Sequence, residues 1–410
     1  MQKIAIIGGG AAGMMAAATI CESAQAAEVY LIERNPKLGF KVVISGGGRC
    51  NVTTGFRDLP VVLKKYPRGA RFLKTAMYEF PPDAVYAWMK AHGVPLKIEE
   101  DGRVFPVSNK GSDIVAAFEN LFQKSKLNIL YKSTAMDLEK KGDAFVVHLK
   151  DGVSIEVDKV VLTTGGQAYK QTGSLGDGYR FAKKMGHKIT DLAASLGAFT
   201  VEEAWMKSLS GLSFEEVKLK IGKHEFSGPI LFTHKGITGP AVFALQSLSA
   251  YEPLPAKLHL DFCPELSYEE VRLKLEQELK ESPKKLFKNS LGLFAAKSLA
   301  LEMTRLCEID EEKPNMEVSK KDMNKTVEFL KNAQVTVTGL SAGEEFVTAG
   351  GVDLSEVDSK TMESKICPGL YFAGEILDVD GFTGGYNLQC AWATGRLAGL
   401  AISEHNISLK

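Results

Sequence analysis

No charge of either sign is in excess: Lys plus Arg and Asp plus Glu each total 50 in 410 residues. That balance gives no global attraction to nucleic acid or to an anionic membrane, so neither is expected as a partner. Local runs such as Lys64-Lys65 with Arg68 and Arg71 read as solvated helix faces. No uninterrupted stretch of about 18 apolar residues occurs, which argues against a membrane-spanning helix. Cysteine is scarce. The six are Cys21, Cys50, Cys263, Cys307, Cys367 and Cys390, and none lie in a CxxC spacing. A dithiol centre and a zinc cluster are therefore not expected, nor any metal, and scattered single thiols suit a reducing cytoplasm. Lys3, the apolar run after it and the small residues beyond imitate a signal peptide, but glycines interrupt the run; we read it as mature protein. With 45% hydrophobic and 24% charged residues the chain is ordinary globular protein, long enough for two or three domains.

Glycine is plentiful, and its first cluster is the most informative. Gly8-Gly9-Gly10-Ala11-Ala12-Gly13 follows a short apolar run, Lys3 to Ile7, and precedes an Ala- and Met-rich helix from Met14 to Glu22. A second apolar run, Val29 to Ile32, ends at Glu33, 20 positions after Gly13. Strand, glycines, helix, strand and acid in this order form the dinucleotide fingerprint of a βαβ unit. Gly8 serves the tight turn, Gly10 the approach of a pyrophosphate, and Gly13 close helix–strand packing. The helix start, Ala11 and Ala12 included, offers free N–H groups to the phosphates. Glu33 is placed for the adenosine ribose, with Arg34 beside it.

Further glycine-rich segments recur along the whole chain. Ser45-Gly46-Gly47-Gly48-Arg49-Cys50-Asn51 is a loop open to close approach by a ligand. Residues 70–124 read as helical with a break at Pro81-Pro82. Then come β segments Leu127 to Tyr131, Ala144 to Leu149 and Val153 to Val157, the last two joined by an Asp151-Gly152 hairpin turn. The strand Lys159 to Leu162 runs into Thr163-Thr164-Gly165-Gly166. From about Leu192, alternating runs at Ser213–Ile221 and Lys257–Phe262 indicate antiparallel strands. Residues 265–332 read as helical, with Ser267–Glu270 and Ser319–Asp322 as capping boxes. The stripe Met323, Val327 and Leu330 on one of these helices reads as core. Gln334 to Val337 returns to strand. Gly369 to Glu375 then forms a strand reaching Gly374 and an acid, and Gly384-Gly385-Tyr386-Asn387 opens a helix from Leu388 to Ile402. The simplest domain division is 1–192 with 341–410, interrupted by an insert at 193–262, 263–332 and 333–340.

The fingerprint alone suits NAD or FAD. Glycine-rich backbone spread over 45–48, 165–166, 374 and 384–385 suits the larger, two-ended FAD, and no second GxGxxG supplies a nicotinamide domain. Leu38-Gly39-Phe40-Lys41 and Ser45-Gly46-Gly47-Gly48-Arg49-Cys50-Asn51-Val52-Thr53 resemble the SGxGRCNxT signature of the YhiN/BaiN-like flavoproteins. Thr172 to Tyr179, Leu231-Phe232-Thr233-His234-Lys235-Gly236-Ile237-Thr238-Gly239-Pro240 and the tail from Ala373 to Asn387 extend that resemblance over nearly the full length. Thr54, where Asn is common, and Ala194 to Gly197, in place of Pro-Ser-Leu-Val, depart from the pattern. The resemblance implies a glutathione-reductase-type doubly wound α/β FAD domain interrupted by a small antiparallel β-barrel and a helical subdomain. It also implies FAD contacts from Gly8 to Gly13, from Ser45 to Asn51, and from Gly384 to Leu388. Ala135, Thr163, Thr164, Gly165, Gly166, Gly374 and Glu375 join the expected cofactor set.

Among the remaining side chains, Lys41 and Arg49 suit the pyrophosphate or an anionic substrate. Cys50 reads as a packed thiol, Asn51 as a hydrogen-bonder of the flavin rim or of its own loop, Glu375 as a ribityl contact, and Asp177 as the cap of a helix starting at Tyr179. His234 is the leading candidate acid or base and Tyr169 the second, each with a structural alternative. The expected activity is hydride transfer between a small organic substrate and the flavin by a cytoplasmic FAD-dependent oxidoreductase. Oxidation of a small amine or amino ketone with O2 is slightly favoured over NAD(P)H-dependent reduction of an enone-type double bond. A flavin-bearing tRNA-modification protein or redox sensor is the reading from another class.

Overall fold

A computed structural model describes residues 1–23, 27–125, 127–341 and 346–405. The chain divides into two compact units, Met1–Ala194 with Phe346–Lys410, and Ser195–Glu345.

The first unit is built on five parallel strands. The chain enters at β1 (Gln2–Ile7), continues through α1 (Ala11–Glu22) to β2 (Ala27–Ile32), and later passes α2 (Leu59–Leu63) and α3 (Ala70–Glu79). It returns to the sheet at β3 (Leu127–Leu130), β4 (Lys159–Leu162) and β5 (Leu370–Phe372), and closes with α4 (Tyr386–His405). The strand order is β5-β4-β1-β2-β3. β1 pairs in parallel register with both β2 and β4, Ile6 opposite Leu31 on one side and Val161 on the other. Strands covered on both faces are apolar throughout, as Ile4, Ile6, Val160, Val161 and Phe372 show by their burial. The order reverses between β1 and β4, so a crevice opens at their carboxyl ends, where Gly8 and Thr163 lie.

Between α3 and β3 the run at 70–124 is not wholly helical. Helices Pro82–Ala91 and Gly111–Gln123 flank two short strands, Leu96–Ile98 and Arg103–Pro106, that pair antiparallel. Strands of three and four residues carry too little alternation to be distinguished from a helical break. The hairpin at Asp151-Gly152 forms as expected, Val147 opposite Ile155.

The second unit is a closed antiparallel barrel of six strands, Phe199–Val201, Gly236–Thr238, His224–Phe232, Ser213–Ile221, Ala256–Asp261 and Ala333–Leu340, in that order around the circle. Alternate residues such as Val217, Leu219, Leu258 and Leu260 fill its interior. Four helices between 268 and 332 form a second core in which Met323, Val327 and Leu330 are buried. Both capping boxes form, Ser267 with Glu270 and Ser319 with Asp322. No helix among the described residues is long and apolar enough to cross a membrane.

Candidate functional site

The crevice at β1 and β4 is shaped by its glycines. A Cβ on Gly13 would collide with the Gly8 carbonyl oxygen and come within 2.7 Å of Thr163 Oγ1, and one on Gly8 would meet Thr163 O at 2.5 Å. These two hold α1 tight against the strand ends. Gly10 is different: a Cβ there meets nothing within 4 Å. It is the N-cap of α1, extended at φ −80°, and its helix end has no side-chain cap. The amides of Gly10, Ala11, Ala12 and Gly13 have no partner among the described residues. Four donors and a positive helix end face open space, which is what a pyrophosphate needs. Thr163 steadies the turn by donating from Oγ1 to Gly8 O at 2.8 Å and to Ile7 O at 3.0 Å.

Glu33 lies at the end of β2 with its carboxylate turned back onto the fingerprint, accepting from Gly9 N at 2.7 Å and Asn35 N at 2.8 Å. Burial raises its pKa, while those backbone amides and Arg34 pull it down. Each oxygen keeps a lone pair for a ribose hydroxyl. The Glu33 carbonyl accepts from Ser133 N at 2.9 Å, which brings the chain leading to Ala135 alongside. Arg34 is ion-paired with Asp177. This corrects the expected cap: the helix begins at Asp177 itself, after Gly176 at φ 80°, and the carboxylate serves Arg34 instead.

A second helix end belongs to the same unit. Gly395 and Gly399 place α4 against α1: a Cβ on Gly395 would strike Ala12 O, and one on Gly399 would meet Ala16 O at 2.9 Å. Ala12 matching Gly395 and Ala16 matching Gly399 make the two helices parallel. At 1.5 Å per residue, the first turn of α4 therefore lies about 12 Å before that of α1, displaced toward the N-terminal side of the shared direction. Gly385, at φ 88° and with its Cβ position blocked by Thr53 O, opens α4 as only glycine can. The amides of Tyr386, Asn387 and Leu388 have no partner among the described residues. The Asn387 side chain is committed to Gly381, donating to its oxygen at 2.7 Å and accepting from its nitrogen at 2.8 Å.

Between the two helix ends, Glu375 accepts from Lys41 Nζ at 2.9 Å and from Thr348 N at 3.0 Å. Lys41 is thus bound to a carboxylate rather than bare. Arg49 is likewise engaged, with Glu99 as its ion partner and its guanidinium 3.8 Å over the Phe105 ring. Gly46, Gly47 and Gly48 all hold positive φ, and Gly47 and Gly48 have open space before them. Ser45 donates to Val42 O at 2.8 Å, and Asn51 Oδ1 accepts from Val104 N at 3.1 Å, so both side chains support the loop. Cys50 is fully buried, and burial pushes its thiol up to about 12. It is a packed thiol, not a nucleophile. Iodoacetamide at pH 8 is expected to leave Cys50 unmodified in the folded protein and to alkylate it after denaturation, read by peptide mass.

Thr348 was not singled out by the sequence reading, yet its Oγ1 accepts from Gln167 N at 2.7 Å and Ala168 N at 3.2 Å, directly after Gly165 and Gly166. Its signal was available: Val347-Thr348-Ala349-Gly350-Gly351 is another apolar strand running into two glycines. Tyr169 follows this turn at φ 55°, half-buried, its ring 5.9 Å from that of Phe346. Thr164 Oγ1 is buried with no hydrogen-bond partner among the described residues. His234, in the second unit, is exposed on the turn from Thr233 to Gly236. That turn is held by Thr233 Oγ1, and the imidazole has no hydrogen-bond partner among the described residues.

Residues 2–401 match the family described as the HI0933-like protein Rossmann domain. The chain belongs to the HI0933-like family. The resemblance to YhiN/BaiN-like flavoproteins holds, and with it an FAD-dependent oxidoreductase. The chain is 31% identical to a 3-dehydro-bile acid delta(4,6)-reductase of Clostridium scindens, over 98% of its own length and 100% of that protein. It is 29% identical to a ribosomal RNA dihydrouridine synthase of Escherichia coli, over 95% of each. In fold it is similar to the 3-ketosteroid delta1-dehydrogenase of Sterolibacterium denitrificans, at 13% identity and TM-score 0.52, covering 99% of this chain and 100% of that one. The open space before Gly10, the uncapped start of α1 and the glycine-opened start of α4 fit the FAD of HI0933-like proteins. α1 and Glu33 would hold the adenosine diphosphate half. Glu375, Lys41 and the start of α4 would hold the flavin half.

Proposed function

We propose that this HI0933-like protein reduces a carbon–carbon double bond conjugated to a carbonyl. What supports this reading is a common reaction type in two relatives with unlike substrates. A delta(4,6)-reductase of a 3-oxo steroid and a dihydrouridine synthase both add two hydrogens across such a bond. Bound FAD, once reduced by NAD(P)H, would supply the hydride for the β carbon, and the α carbon must take a proton. Amine oxidation, favoured by the sequence because no nicotinamide domain is present, has no comparable support, since a nicotinamide donor docks transiently without one.

The protein's part is to orient, to stabilise charge and to give the proton. The free amides of α1 and α4 supply fixed positive potential at two points of the crevice. Glu375, fixed by Lys41 and Thr348, positions the chain between them. For the proton we assign Tyr169, whose left-handed backbone is strained for a bulky residue and which sits directly beyond the glycine turn of β4. The test is anaerobic consumption of NAD(P)H by the holoenzyme with cyclohexenone. Turnover should require the enone, and Tyr169→Phe should slow it while leaving bleaching of the flavin by NAD(P)H unchanged. Equal slowing of both half-reactions would remove Tyr169 from this role.

A further inference from the structure

The two ends of the signature loop have different surroundings. Gly47 and Gly48 face open space, whereas Val52, Thr53 and Thr54 are buried in the first unit. Thr53 and Gln389, the latter one turn into α4, are both fully buried. Thr53 Oγ1 lies 2.6 Å from Gln389 Oε1, and Gln389 Nε2 donates to Phe80 O, just past α3, at 2.8 Å. A carbonyl only accepts, so Phe80 O fixes which way the amide is turned and makes the Thr53 hydroxyl the donor. One side chain thereby joins three segments: the tail of the signature loop, the end of α3 and the first turn of α4.

Further contacts run along the same seam. Trp392 Nε1 donates to Val52 O at 2.9 Å, and a Cβ on Gly385 would lie 2.3 Å from Thr53 O. Gln389 N closes the first helical bond of α4 on Gly385 O at 2.9 Å. Val52 and Thr53 belong to the signature, yet the chemistry proposed above uses neither. Their partners explain them: they fasten the loop to α4, whose first amides have no partner among the described residues.

We propose that Gln389 is a positioning residue for the flavin: with Thr53 it sets the start of α4 against the glycines of the signature loop, at the separation where one FAD meets both. Being fully buried, it acts through the amides of Tyr386 to Leu388 and the backbone of Gly47 and Gly48. A helix start carries partial positive charge, and reduction adds negative charge to a flavin. A displaced α4 therefore weakens FAD binding, more for the reduced form than for the oxidised one, and lowers the potential.

The test is titration of the full-length apoprotein with FAD, read by quenching of flavin fluorescence, together with the two-electron midpoint potential of the holoprotein. Thr53→Val keeps the shape, removes the hydroxyl and leaves Gln389 Oε1 buried without a donor. FAD should bind about tenfold more weakly, the worth of one buried hydrogen bond. A further tenfold loss for the reduced form should lower the midpoint potential by about 30 mV. Thr53→Ser keeps the hydroxyl and should hold both values near wild type. Gln389→Asn is one methylene too short to span Thr53 and Phe80, and should reproduce both losses even if Thr53→Val fails to fold. Ser364→Ala is the control for lost stability alone, because it breaks the buried His187 Nε2–Ser364 Oγ contact of 2.8 Å in the same unit. It should lower the melting temperature of the apoprotein and leave FAD affinity and potential unchanged. Wild-type affinity and potential in Thr53→Val and Gln389→Asn overturn the proposal, as does an equal loss of both in Ser364→Ala. Losses in Thr53→Ser as large as those in Thr53→Val overturn it too, since the hydroxyl is then not the cause.

Discussion

Gly10→Val is expected to purify folded and colourless. A valine at this position has an allowed, extended backbone and its Cβ meets nothing within 4 Å, so the apoprotein loses little beyond the small difference between caps. Its methyl groups instead enter the space before the free amides of α1. Displacing a phosphate from that cradle costs about 2–3 kcal/mol by analogy with overpacking, a 30- to 150-fold loss of FAD affinity. Melting of the variant should match that of wild type stripped of FAD, and added FAD should raise the melting temperature of the stripped wild type but far less that of the variant. Gly13→Val makes the contrast: its side chain strikes the Gly8 carbonyl, and the loss there is of the βαβ unit itself. A yellow Gly10→Val protein with native flavin content would place the pyrophosphate elsewhere.

Arg68→Ala is expected to destabilise the first unit strongly. Asp380 is fully buried, and Arg68 meets both of its carboxylate oxygens. Removing the guanidinium leaves a buried anion, a loss of about 3–5 kcal/mol. For a unit of this size the melting temperature should fall by roughly 10 °C. Arg68→Lys should recover only part, because an ammonium cannot match the two oxygens at once. Adding Asp380→Asn to Arg68→Ala should restore stability relative to Arg68→Ala alone, since the uncompensated charge is then gone. Because this pair anchors the segment before α4, the same variants should hold FAD more weakly. Equal melting of wild type, Arg68→Ala and Arg68→Lys would show the pair to be incidental.

The contrast between these two positions reflects what a sequence displays. Gly10 was legible because the strand, turn, helix and acid of the fingerprint follow within one short segment. The capping boxes at Ser267 and Ser319 and the hairpin at Asp151-Gly152 were legible for the same reason. Arg68–Asp380, Lys41–Glu375 and Arg34–Asp177 join residues 312, 334 and 143 positions apart, and no local pattern encodes such pairs. Arg68 and Asp177 were accordingly read as a solvated charge and a helix cap. The strands at Leu96–Ile98 and Arg103–Pro106 fell below the length at which a period shows. Thr348 was missed although its glycine signal was present. The basic row at Lys64 to Lys74 was visible as letters, but only the structure separates Arg68, engaged by Asp380, from Lys64, Lys65, Arg71 and Lys74, which have no ion-pair partner among the described residues.

Direction of hydride transfer is the centre of the account, and anaerobic rapid mixing tests it. The FAD-loaded protein is reduced with NAD(P)H in the absence of oxygen and mixed with an α,β-unsaturated ketone or with a small amine. The enone should restore the visible absorbance of the oxidised flavin, with the saturated ketone formed in equal amount. Amines should fail to bleach the oxidised protein. Bleaching by an amine followed by rapid recovery in O2, with no response to the enone, would contradict it.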